Sequence, residues 1–440
     1  MSAVAAHATP GAELWLSRTG AARSSLDQVD GLAVSPDGSR VFVVGTVENS
    51  HAAKVEIVAH DASTGTTVWT SHYKGSGQFT DEAAGIAASP DGSLVFVAAR
   101  TSAAVTRIDY ITLAYDAATG VRVWKRRYSS STLLTIDAPA AIGVSPDGST
   151  VFVTGAGDGG PALTDYVTVA YDAATGQHRW TATYSRQSRD NARTLSVSPD
   201  GAMVFVSGFS VSNNGLDIVT VAYDAEIGRQ VWTARYDGPT SRDDQPNAMA
   251  VSPDGTSVYV TGFSNGGPRR RGSRDFVTLA YRTSTGALRW AHRYNGPGDW
   301  NDNAKAITVS ADASRLFVTG YRTGHHARDM ETIAYSSKGA RLWMRAFTTP
   351  GNTDDQPTAI GISPDGTQVY VTGFRRPTAF DRDYATLAYR ASTGEHLWQA
   401  FYDAGSYDTS QALGVDPDGS SVFVSGLSGF DMVTAAYSTS

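Results

Sequence analysis

Apolar residues come along this chain in short runs, each cut off by glycine, proline, aspartate or serine. "SVYVTGF" (257–263) is followed by "DFVTLAY" (275–281) and "ALRWAHRY" (287–294). Valine, tyrosine, phenylalanine and threonine dominate the runs, and no helical periodicity of useful length competes with them. The pattern predicts short β-strands throughout. A further run, "NAMAV" (247–251), precedes an "SPDG" turn, and "TSTG" separates the last two strands. Pro-Asp-Gly and Thr-Gly supply the preset φ and the positive φ that tight turns need.

This quartet, strands A to D, recurs. "SPDG" stands at 35–38, 89–92, 145–148, 198–201, 252–255 and 363–366, with "SADA" at 310–313 and "DPDG" at 416–419. The spacing averages about 54 residues, the mark of a repeat architecture. Eight four-stranded units with apolar residues on both faces must bury both, and radial packing does so. The expected fold is all-β, an eight-bladed β-propeller of four-stranded antiparallel blades.

Strand D carries a tryptophan in seven units: Trp69, Trp124, Trp180, Trp232, Trp290, Trp343 and Trp398. The eighth unit stops short of one at "DMVTAAYSTS" (431–440), yet "GAELW" (11–15) nearly repeats "GARLW" (339–343). The N-terminal strand, about 11–17, should therefore complete the last blade, with Trp15 as the eighth tryptophan and two sheet edges removed. Residues 1–10 then read as a flexible tail. Residues 11–440 read as one domain, with blades at about 27–73, 81–128, 137–184, 190–236, 244–294, 302–347, 355–402, and 408–437 plus 11–17.

The unit "AYDAATGVRVW" (114–124) resembles the tryptophan-docking repeat of quinoprotein (PQQ-like) propellers, which commonly have eight blades. "VSPDGTSVYVTG" (251–262) is similar to the repeats of bacterial YVTN-type propellers. The resemblance covers roughly residues 11–437. In quinoprotein dehydrogenases it would imply pyrroloquinoline quinone on the axis with calcium beside it. Many of those enzymes carry an adjacent cysteine pair near the cofactor. This chain has no cysteine, and no isolated Trp, Glu and Arg set matches their site, so no cofactor is expected.

Composition narrows the classes further. The 440 residues are 41% hydrophobic and 18% charged, enough for a large core. A net charge of −7 argues against a nucleic-acid partner. Without cysteine there are no disulfides or thiolate metal sites. No apolar run approaches the ~20 residues of a membrane span. "MSAVAAHATP" lacks the charged start and apolar stretch of an intact signal peptide, while "AVAAHA" has the small residues of a trimmed one. A secreted or periplasmic monomer is the weak expectation.

Two columns of aspartate recur. Asp27, Asp81, Asp137, Asp190, Asp244, Asp302, Asp355 and Asp408 each stand eight residues before the "SPDG" position. Asp109, Asp165, Asp217, Asp275, Asp329, Asp383 and Asp431 open strand C, with Lys54 in the first unit. Strands A and C run the same way, so both columns fall on the rim carrying the D–A and B–C loops. Recurrence in every blade favours loop-bracing roles for the first column.

Function belongs where the copies differ. The B–C loops "SNGGPRRRGSRD" (264–275), "RTGHHARD" (322–329) and "RRPTAFDRD" (375–383) bring Arg269, Arg270, Arg271, Arg274, Arg322, Arg328, Arg375, Arg376, Arg382, His325 and His326 to one rim. The D–A loop "GPGDWNDN" (296–303) adds Trp300. Arginine forks suit carboxylate, phosphate or sulfate, and an exposed tryptophan suits a sugar face. The candidate ligand-binding set is Arg271, Arg274, Trp300, Arg322, His325, His326, Arg328, Arg376 and Arg382; the bland reading is that these arginines pair with neighbouring aspartates. Calcium at Asp299, Asn301 and Asn303 is a weaker candidate, because the EF-hand glycine and glutamate are missing. "GFSNG" (262–266) matches a nucleophile elbow but runs into a loop rather than a helix.

The expected function is a non-catalytic binding or scaffold propeller, recognising an acidic or glycan-like ligand, small molecule or protein, through the D–A/B–C face. The alternative is an enzyme with an axial pocket, a quinoprotein-like oxidoreductase or a hydrolase or lyase. Non-repeated His, Arg and Asp lining a deep axial pocket would favour the enzyme. A channel plugged by the small residues of strand A (Ala33, Ala87, Gly143, Ser196, Ala250, Gly361, Gly414) would favour binding.

Overall fold

Strands that repeat with both faces apolar end up here as spokes. The structure is a computed structural model that describes residues 8–20, 27–49, 52–75, 80–104, 107–130, 137–158, 163–186, 188–266, 273–298, 300–324, 327–351, 353–378 and 381–440. Their thirty-two strands form eight four-stranded antiparallel sheets, each a meander from the axis outward. In the first blade the order is Gln28–Val34, Arg40–Asn49, Ala52–Asp61 and Thr67–Tyr73. Among the described residues no helix is long and apolar enough to cross a membrane.

The eighth blade combines the two ends of the chain. Asp408–Val415, Ser421–Ser428 and Asp431–Ser438 are followed outward by Glu13–Thr19. Glu13 pairs with Tyr437 and Trp15 with Ala436. The Gly11 N–H donates to the Ser438 carbonyl at 2.8 Å and the Ser438 N–H to the Ala12 carbonyl at 2.9 Å. Innermost strands touch from blade to blade, and Asp408–Val415 touches Gln28–Val34. The ring is closed.

Tryptophan holds neighbouring blades together. Each strand-D indole stacks on an aromatic ring of its own blade's strand B, such as Phe42 under Trp69 at 5.9 Å and Phe423 under Trp15 at 5.9 Å. It then reaches into the C–D turn of the next blade. Trp15 donates its indole N–H to the Ala62 carbonyl (2.7 Å), Trp69 to Ala117 (2.9 Å) and Trp343 to Ala391 (2.9 Å). The turn glycine lies flat on the ring, and only a residue without a Cβ fits. At Gly120, with φ of 70°, an added Cβ would stand 2.5 Å from Trp69 Cδ2. At Gly11 it would stand 2.9 Å from Trp398 Cε3, so the turn before the N-terminal strand docks the last tryptophan.

The small residues of strand A serve the same packing. A Cβ on Gly143 would meet Leu195 and Val197, and one on Gly414 would meet Leu32 and Val34. They seat the inner strand of one blade against the next.

Blade 1 departs from the pattern beside the seam. Where the other seven units have tyrosine it has His60, 2% exposed and 6.1 Å from the Trp15 ring. Burial pulls the His60 imidazole down to about 4. An unfolded histidine takes its proton near 6.5, so the stability that neutral His60 allows is present above that pH and lost as pH falls toward 4. Relative to His60→Tyr, the wild-type chain should lose about 2 kcal/mol of stability between pH 7 and 4.5, read by denaturant unfolding at both pH values. Equal pH dependence in the two proteins would count against a buried neutral histidine.

Candidate functional site

The rim carrying the D–A and B–C loops is braced from inside by the first aspartate column. Asp81 accepts the Gly75 N–H (2.7 Å), Asp190 that of Arg186 (2.8 Å) and Asp408 that of Ala404 (2.8 Å). Asp137 accepts from Ser130 and Asp244 from Gly238. Asp302 and Asp355 each join two loops. Asp302 takes the N–H of Gly296 and of Thr323, and Asp355 that of Thr349 and of Arg376. All eight are buried, and burial pushes Asp244 and Asp302 up to about 6. The loop preceding Asp27 lies outside the described residues.

The second column is neutralised. Arg18 pairs with Asp431 (3.0 Å), Arg293 with Asp275 (2.6 Å), Arg375 with Asp383 (2.7 Å) and Arg127, through Nε, with Asp109 (2.8 Å). Arg235 contacts Asp217. Two acidic triads sit on this rim, Asp217–Asp237–Asp244 and Asp381–Asp383–Asp403. In each, a guanidinium already meets a buried member, Arg235 at Asp217 and Arg375 at Asp383, and the first triad's other buried member, Asp244, accepts the Gly238 N–H.

Five cations nearer the axis differ. Arg274, Arg328 and Arg382 come directly before the strand-C aspartates of blades 5, 6 and 7. Their guanidinium groups lie over aromatic rings at the end of strand B: Arg274 over Phe263 (4.1 Å), Arg328 over Tyr321 (4.6 Å), and Arg382 between Phe374 and Tyr407 (4.2 Å each). Arg193 lies over Phe209 (5.2 Å) in blade 4, and the Lys305 amine over Tyr321 (5.6 Å) in blade 6. Among the described residues none of these five side chains is paired with a carboxylate. The Arg382 Nε–H is buried without any acceptor.

Arg193 and Lys305 reach the axis through a backbone irregularity. Strand A of every blade has a register shift near its start, and the extra residue is Asp30, Ala84, Ala140, Arg193, Asn247, Lys305, Thr358 or Gln411. A bulge re-aims one side chain out of the ladder. Here the channel edge is on the far side of the ladder, and Lys305 senses Arg193 from two blades away. Burial, then Arg328, Arg274 and Arg193, pull the Lys305 amine below its ordinary value. Arg193 is exposed by surface area, yet the atoms packed around its guanidinium desolvate it and lower it too. Arg382 is lowered by burial, and Arg376 and Arg328 add to it against Tyr407 and Asp354.

Across the axis the sign reverses. Asp30 accepts from Thr46 Oγ1 (2.8 Å) and Gln28 Nε2 (2.9 Å), and burial pushes its carboxyl up to about 7, with Glu82 adding to the effect. Glu82 is held by Arg100. The mouth is a cationic crescent on blades 4 to 7 facing a small acidic corner on blades 1 and 2.

The expected ligand residues divide accordingly. Arg274, Arg328 and Arg382 form the crescent, and Arg376 stands beside it, 4.0 Å from Asp354. Arg322, expected to face a ligand, is instead tied to Asp329 (3.3 Å) and Glu331 (3.4 Å), because strand C of this blade carries an extra acid. Trp300 is half-buried over Gly298 of its own loop rather than displayed as an exposed plate. Arg269, Arg270, Arg271, His325 and His326 lie outside the described residues. So does Asp299, and the other two candidate calcium ligands are turned apart: Asn301 Oδ1 accepts the Arg274 N–H (3.1 Å), and Asn303 Oδ1 accepts from Asn247 (2.6 Å). Ser264 stands opposite Asp244 near the end of its strand, and among the described residues the next element is the strand Arg274–Arg282. Sequence reasoning missed Arg193 and Lys305. Their signal is the column five residues before each "SPDG" position, where the aligned copies disagree most.

The family model described as outer membrane protein assembly factor BamB matches residues 1–270. The chain belongs to the BamB family. No curated protein matches it. Among solved structures, Sqt1 of Chaetomium thermophilum bound to the N-terminus of the ribosomal protein L10 shares 12% identity at a TM-score of 0.62, over 94% of this chain and 97% of that one. Quinohemoprotein alcohol dehydrogenase of Comamonas testosteroni shares 12% at 0.54, over 97% of this chain and 76% of that one. At such identities both likenesses speak for the fold alone. The bulge column of this BamB-family propeller carries one acid, Asp30, which is hydrogen-bonded by Thr46 and Gln28.

Proposed function

We propose that this BamB-family chain is a non-catalytic binding scaffold whose axial mouth, on the D–A/B–C face, holds an acidic segment of a protein partner. One observation carries the reading. Arg193, Arg274, Lys305, Arg328 and Arg382 converge from four consecutive blades, and among the described residues none of the five side chains is ion-paired with a carboxylate, while the outer arginines of the same rim are paired. Like charges brought together and partly desolvated cost folding free energy, so their persistence favours a ligand that neutralises them. Carboxylates satisfy guanidinium forks in pairs, and the rings beneath give the ligand backbone a flat floor. The half-buried Trp300 gives a sugar no such floor. The cationic crescent also steers an acidic partner toward blades 4 to 7.

The test is fluorescence anisotropy with labelled peptides of equal length, rich in glutamate, in serine or in lysine. The glutamate peptide should bind, with an affinity that falls as salt rises. Equal binding of all three, or preference for lysine, would overturn the proposal.

A further inference from the structure

Lys305 has surroundings that a merely solvated lysine lacks. It sits at the bulge of the inner strand Asn303–Val309, half-buried at the mouth. Its amine shares one ring, Tyr321, with the Arg328 guanidinium, at 5.6 Å and 4.6 Å from the centroid. One ring quadrupole cannot neutralise two cations. Arg274 acts on it from the neighbouring blade and Arg193 from two blades away. The acid at the start of its own strand, Asp302, is occupied by the N–H groups of Gly296 and Thr323. Of the chain's other lysines, Lys54 and Lys74 lie within 3.5 Å of Glu56 and 3.7 Å of Asp81, while Lys125 and Lys338 are exposed.

A cluster of cations around one amine, with no carboxylate paired to it among the described residues, favours the neutral and nucleophilic form. We propose that Lys305 is a covalent capture site for small anionic carbonyl compounds of the oxo-acid class, bound as a reversible imine with their carboxylate on Arg328 and Arg274. The inference uses the same mouth as the binding reading and goes beyond it. The neutral amine adds to the carbonyl carbon, and the nitrogen proton passes to the oxygen to give a carbinolamine. Water then leaves as the C=N bond forms, so one amine and one carbonyl give one imine and one water. The ligand's carboxylate supplies the missing counter-charge, so an oxo-acid gains where a neutral aldehyde does not.

The experiment incubates the intact protein at pH 7 with glyoxylate and cyanoborohydride, whose hydride reduces the imine to a stable secondary amine. Peptide mass spectrometry then reads the fraction modified at each lysine, with exposed Lys338 as the internal reference. Lys305 should be trapped at least about threefold faster than Lys338, since amine lowering and carboxylate recognition both act on it. With propanal the advantage should shrink, and in Arg328→Gln the glyoxylate advantage should fall toward the propanal level. Trapping at Lys305 no faster than at Lys338, or an advantage identical for the two aldehydes, would overturn the proposal. If the glutamate peptide still binds under either outcome, only covalent capture falls; if peptide binding is absent as well, the binding reading falls with it.

Discussion

Replacing Gly120 with alanine is expected to destabilise the propeller by about 3 kcal/mol, while Gly366→Ala costs about 1 kcal/mol. Both glycines have φ near 70°, so both substitutions incur the same left-handed strain. They differ in what a Cβ meets. At Gly366 nothing lies within 4 Å, whereas at Gly120 the new carbon stands 2.5 Å from Cδ2 and 2.6 Å from Cε3 of Trp69. The indole cannot retreat, because Phe42 backs it and its N–H is fixed on the Ala117 carbonyl. The difference between the two variants therefore isolates the docking of one blade on the next. Denaturant unfolding measures it, and equal losses at the two glycines would mean that the indoles do not hold the ring together.

That docking was legible in the sequence because it repeats. The eight strand-D tryptophans, the "SPDG" turns and the match of "GAELW" to "GARLW" each give the same answer in every copy, and the pairing of Trp15 with Ala436 is the closure they imply. The site was legible only in part, for a physical reason. Arg274, Arg328 and Arg382 stand out because they occupy one column beside a fixed aspartate. Arg322 stood out equally, but its fate turned on Glu331, an acid two residues past the strand-C aspartate that only the cross-strand geometry brings to it. Arg193 and Lys305 were hidden because a bulge does not show in an alternating pattern; strand A was read from Asn247, whereas it begins at Asp244 and carries its extra residue at Asn247.

Lys305→Gln should leave the fold as stable as the wild type or raise its stability by about 1 kcal/mol, whereas Arg293→Gln should lower it by about 2–3 kcal/mol. The two cations share a rim and differ in partners. Lys305 adds charge to a crescent that already repels itself, so glutamine relieves Arg328, Arg274 and Arg193. Arg293 binds Asp275, which is 5% exposed, and the carbonyls of Ser264 and Gly266. Its loss takes the guanidinium away from a buried carboxylate. A fold that keeps a cation at the cost of stability does so for binding, and one that keeps it for stability weakens when the cation goes. Urea unfolding of both variants at pH 7 reads the split, and a clear loss in Lys305→Gln would make the crescent a structural device.

The most direct measurement is the affinity of a glutamate-rich peptide for the wild type, for Arg328→Gln/Arg382→Gln and for the outer-rim control Arg375→Gln, at one salt concentration. If the unpaired crescent is the recognition surface, the double variant binds at least about tenfold more weakly, a loss of about 1.4 kcal/mol or more, and the control binds like the wild type. Equal affinity in all three, or a loss confined to the control, would contradict it.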